Sequence, residues 1–208
     1  MQTYGFPPVF RQDTIMTAIE EISGGQSSLI RWHYLWYVAA ALLVMIAAIV
    51  YGNTWFLNWV HVMSGVLWTG IDLFMGFVIG PILRSVSVPV RKEIITRLTP
   101  VTLFLLPTLS IITGTAGWFL AVQLGFTELP WPEFGWIVAA LVLVTLMAIQ
   151  GLGYLLPTSL RVCFELQKPR PDGAKIGRIM SRFYYVVASQ GIMQVVIIIV
   201  MARLVTGV

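Results

Sequence analysis

Residues 59–77 read WVHVMSGVLWTGIDLFMGF. With its apolar flanks from 55 to 80, this stretch forms a helix long enough to cross the roughly 30 Å hydrocarbon core of a bilayer. It also carries an imidazole, His61, and a carboxylate, Asp72. Ionisable groups are costly in lipid, so a span that keeps two of them turns them toward the protein interior. His61, Gly65, Trp68, Asp72 and Met75 follow one another at intervals of four, three, four and three. At about 100° per residue they fall within roughly 40° of one line down the helix. The second span therefore presents one stripe bearing a histidine, a glycine notch, an indole and a carboxylate.

The rest of the chain has the same character. Of its 208 residues 58% are hydrophobic and 11% charged, and the mean hydropathy is +0.85. A soluble domain carries about 25% charged residues. The fold class expected is an all-α integral membrane protein with five transmembrane helices, at roughly 32–51, 55–80, 99–124, 134–156 and 180–206. Gly80-Pro81 and Pro157 read as stops, and Thr99-Pro100 as a helix start. Ahead of the spans, DTIMTAIEEIS places Ile15, Ile19 and Ile22 at helical spacing opposite Glu20 and Glu21. It reads as an amphipathic surface helix, or as a segment packed on this protein's loops or on a partner. The organisation is thus a cytoplasmic segment 1–31 and a five-span domain 32–208.

Basic residues mark alternate connections. Arg84, Arg91, Lys92 and Arg97 surround the second loop, and Arg161, Lys168, Arg170, Lys175 and Arg178 the fourth. The GNT turn at 52–54 and the loop GFTELPWPE at 125–133 carry none. The positive-inside rule places the N-terminus and those basic loops in the cytoplasm and the C-terminus outside, in a cytoplasmic (inner) membrane.

Several chemistries are excluded. With one cysteine, Cys163, and two histidines, the chain cannot form an internal disulfide, a thiolate cluster or a multi-histidine centre alone. It has no phosphate-binding glycine loop, zinc spacing or nucleophile elbow, and the loop charge points to no nucleic acid. His33 lies in RWHYLWY, an interfacial aromatic belt, and is assigned to anchoring. It begins the first span while His61 lies near the start of the second, so the two stand on opposite sides of the bilayer and cannot share one iron. His61 reads as a haem ligand or as an imidazole satisfied by a neighbouring hydroxyl or carbonyl. Gly65 reads as clearance for a flat macrocycle or as a close approach of two helices. Gln150, Gln190, Gln194, Thr108, Ser110, Thr113 and Thr115 read first as interhelical hydrogen-bonding groups, and second as contacts for a propionate or a quinone carbonyl.

WVHVMSGVLWTGIDLF resembles the W-x-H-x-x-x-G-x-x-W-x-G pattern of a membrane superfamily. That superfamily includes the HemJ-type protoporphyrinogen oxidases, the CopD-type copper-resistance proteins and the membrane part of cytochrome-linked urate oxidases. RKEIITRLTPVTLFLLPTLSIITGTAGWFL and GRIMSRFYYVVASQGIMQVVIIIVMARL extend the likeness over roughly 55–205. The resemblance implies a four-helix bundle of spans two to five holding haem b, with His61 as axial and metal ligand beside an unidentified second ligand or none. Gly65 and Trp68 would then contact the cofactor. HemJ-type enzymes have a lysine in the span matching FGWIVAALVLV and an Asn-Glu-x-Pro stretch where this chain reads VVASQGI. The resemblance therefore does not extend to porphyrinogen oxidation. The expected function is electron transfer or redox chemistry with a quinone or a partner redox subunit, in the lipid bilayer and with a second copy or another chain as partner. Asp72 would be a proton carrier or a buried counter-charge. The alternative is a non-redox accessory subunit, or a small proton-coupled transporter using Asp72.

Overall fold

The computed structural model describes residues 31–206. The surface helix expected around residues 13–23 lies outside them. Among the described residues five helices are long and apolar enough to cross a membrane, and no strand occurs. The first span is α1, Tyr34–Tyr51. The second begins as α2, Thr54–Phe74, widens into a π turn at Met75–Ile79 and continues as α3, Gly80–Ser85. The third is α4, Val88–Gln123. The fourth is α5, Phe134–Gln150, a second π turn at Gly151–Leu155, and α6, Leu156–Leu166. The fifth is α7, Gly173–Thr206.

The prolines read as punctuation all lie inside these helices. Pro81 and Pro157 lack an N–H, and their rings crowd the carbonyl four residues earlier. The backbone widens just before each of them. Gly80 N–H reaches Met75 O and Leu156 N–H reaches Gly151 O, both five residues back. Pro100 and Pro107 are carried within α4, which starts eleven residues before Thr99. Around them Thr99, Thr102 and Thr108 bond back to the carbonyls of Ile95, Leu98 and Phe104. A chain that leaves the helix inside lipid strands its polar backbone, so a helix absorbs a proline there more readily than it stops.

The first turn is short. Gly52 adopts φ 65°, and Asn53 caps α2 by accepting Phe56 N–H through Oδ1 at 3.0 Å. Gln123, at the end of the third span, donates to the Gly52 carbonyl. The first span packs against the second and third: Met45 and Ala48 meet Leu57, Val60, Ile112 and Ala116. Ala48 and Ala116 are fully buried, so the small side chains let the backbones close. A second apolar cluster joins Trp68, Leu109, Ala140, Met147, Ile197 and Val200, drawing together spans two to five. Lipid is as apolar as these residues, so close packing and interhelical hydrogen bonds hold the spans together.

At the basic end, Glu165 is buried, and Lys168 and Lys175 close on its carboxylate at 2.9 and 2.7 Å. This pins the connection between α6 and α7.

Candidate functional site

The stripe on the second span divides into two environments. At its upper end His61 Nδ1 lies 2.9 Å from the carbonyl oxygen of Thr113 on the third span. A carbonyl only accepts, so Nδ1 carries the hydrogen and Nε2 keeps a lone pair. The ring is seated on Gly117, where a methyl would come within 2.6 Å of Cε1 and 2.8 Å of Nδ1. One turn on, Ser64 accepts a hydrogen bond from Thr113 Oγ1 at 2.9 Å. Gly65 faces the Thr113 methyl, 3.4 Å from where its own Cβ would be. His61 and Gly65 thus lie in a close seam between the second and third spans. His33 caps the far end of α1, its ring 4.3 Å from that of Tyr34.

Trp68 and Asp72 belong to the lower environment. Both line a cavity of about 770 Å³ enclosed by spans two to five. His61 is not on its wall. Both π turns are, as are Pro107, which bends the third span, and Met147. The wall also includes the exposed Phe77, Ile192 and Val195, so the cavity opens sideways between the second and fifth spans.

Among the described residues Asp72 is the carboxylate on that wall, and Arg84 its one cation. Arg84 stands about three helical turns further along, its guanidinium 4.2 Å from the centre of the Tyr184 ring. Asp72 Oδ2 accepts from Gln194 Nε2 at 2.7 Å. The Gln190 amide and the Trp68 indole also turn toward the carboxylate. Gln190 is 3% exposed and Gln194 fully buried. Among the described residues neither Oε1 has a hydrogen-bond partner. An unpaired buried acceptor costs about 1–3 kcal/mol, and these two residues lie one helical turn apart on the fifth span. A third amide, Gln150, donates to Ser189 Oγ at 3.2 Å and joins the fourth and fifth spans.

Of the five residues named on the stripe, the fold therefore brings Trp68, Asp72 and Met75 to the wall that Gln190 and Gln194 share, and keeps His61 and Gly65 apart from them. Gly117 and Arg84 are additions. The small residues of GTAG at 114–117 permit a close approach but do not name its partner, and Arg84 carries no signal beyond its charge. Among the described residues, no group of three His, Cys, Asp or Glu side chains is placed to hold a metal ion. No protein-family model, curated protein or solved structure matches this chain.

Proposed function

We propose that the cavity between spans two and five binds a lipophilic quinone-type ligand, and that Asp72 exchanges a proton with it, in a membrane redox protein. The observation that carries this reading is the cavity's composition. Its walls are apolar, its side opens toward lipid, and among the described residues its carboxylate is met by the buried Gln194 amide, with the buried Gln190 on the same wall, rather than by a cation. Pockets of this kind orient a small ligand by a few polar groups set in an apolar wall. A ligand dissolved in the bilayer enters through the gap beside Phe77 without crossing water.

Saturable quenching of Trp68 fluorescence by a short-tailed benzoquinone tests the reading, with Trp68→Phe defining the Trp68 contribution. Ala188→Phe, which fills the cavity wall, is expected to weaken binding at least tenfold. Non-saturating quenching, or quenching indifferent to Ala188→Phe, would overturn the proposal.

A second reading keeps haem b on His61. It is favoured by the Nδ1–H held on the Thr113 carbonyl, the arrangement that orients metal-ligating histidines. As placed, these residues do not fit the macrocycle. Thr113 fills the space at Gly65, the imidazole covers Gly117, and the cavity begins near Trp68, about 10 Å further along the helix. The second and third spans would have to part. A Soret band lost in His61→Ala and kept in His33→Ala is the signature of that reading.

The cavity's Arg84 end belongs with the basic loops, which the positive-inside rule sets in the cytoplasm. Reporter fusions at Ser87 and Asp172 are expected to report cytoplasm, and one at Pro132 the outside. A reversed pattern would invert the orientation.

A further inference from the structure

We infer that the polar end of the cavity selects the hydroquinone form of its ligand over the quinone. The inference rests on the reading of the cavity as a quinone-type site, and its basis is which hydrogen-bonding groups there are already used. The donors face the carboxylate. Gln194 Nε2 donates to Asp72 Oδ2 at 2.7 Å, and the Gln190 amide and Trp68 indole are turned to the same carboxylate. The acceptors are left over. Gln190 Oε1 and Gln194 Oε1 are buried without partners among the described residues, and both glutamines line the cavity with Asp72.

The geometry of the glutamine explains the surplus. The Asp72 oxygen that meets Gln194 accepts, so that amide presents N–H and turns its carbonyl away. A quinone head brings two carbonyl oxygens and no donor, so it would set acceptors against acceptors. A hydroquinone brings two O–H donors and satisfies a glutamine carbonyl and the carboxylate. A site built to hydrogen-bond a hydroxyl rejects the analogue that lacks it, because its own buried groups then go unpaired. A lipophilic ammonium also carries donors. It would have to bring a charge through the lipid-facing gap into a cavity whose other charged wall group is Arg84. The neutral hydroquinone meets neither obstacle.

The test titrates the purified full chain in lipid nanodiscs with a short-tailed hydroquinone under anaerobic reductant, with the matching quinone, and with a primary alkylammonium of the same tail. The hydroquinone is expected to bind at least tenfold more tightly than the quinone. For a two-electron couple each tenfold raises the midpoint potential of the bound ligand by about 30 mV. Gln190→Leu removes one unpaired acceptor and leaves the bond between Gln194 and Asp72 in place, so it is expected to bring the ratio closer to one. Saturable binding of both forms with equal affinity, or with the quinone favoured, overturns this inference and leaves the quinone-type reading standing. Tighter binding of the ammonium than of the hydroquinone overturns it in favour of a cation site. Failure of both quinone and hydroquinone to saturate overturns the underlying reading, and this inference with it.

Discussion

Alanine at position 117 is expected to unseat the His61 ring and to cost about 1–3 kcal/mol of stability, the usual range for overpacking a close interface. The new methyl would lie 2.6 Å from Cε1 and 2.8 Å from Nδ1, closer than nonbonded atoms approach. The imidazole is not a flexible chain end that swings aside, because its Nδ1–H is held by the Thr113 carbonyl. Either that bond breaks or the second and third spans move apart. His61→Ala removes the obstruction, so adding Gly117→Ala to it is expected to cost little. The measurement is thermal unfolding of the four proteins of the cycle in one detergent. Equal losses from Gly117→Ala with and without His61 would show that the ring and the glycine do not interact.

Gln194→Leu is expected to destabilise the protein by about 1–2 kcal/mol, and Asp72→Leu in the same chain to recover most of the loss. The single change removes the N–H that meets Asp72 Oδ2 at 2.7 Å and leaves a carboxylate facing leucine. Removing both partners leaves two apolar groups of similar size, which is often near neutral. The figure is modest because a polar group freed within a membrane bundle finds other partners. The double variant should keep its fold and lose ligand binding, which separates the stability of the bundle from its use. An additive, uncorrected loss in the double variant would mean that the two side chains are not a pair.

Five spans and their order were legible because each is a long apolar run bounded by polar loops. Their ends were less so. Pro81, Pro100 and Pro157 carry the same local signal as helix boundaries in water, and the bilayer changes what that signal means, since unpaired backbone has nowhere to go. The polar stripe on the second span was legible from spacing alone. What spacing could not supply is the neighbour at each level: the Thr113 carbonyl for His61, the Thr113 methyl for Gly65, the fifth span's glutamines for Asp72. A periodicity names a face of a helix, and only the third and fifth spans decide where along that face a seam ends and a cavity begins.

The widened turn at Met75–Ile79 also sets the angular phase of the helix beyond it. In an unbroken α-helix Asp72 and Arg84, twelve positions apart, would point about 120° away from each other. A π turn absorbs one residue without advancing the helix by its usual 100° or so, and brings the two to within about 20°. That is how a carboxylate and a guanidinium on one continuous span both face the same cavity. The same winding joins Met147 to Ser159 across Gly151–Leu155 on the fourth span. In both spans the residue count between the two ends is therefore part of the cavity's design, and excising one residue from either turn would rotate one half of its wall into the lipid.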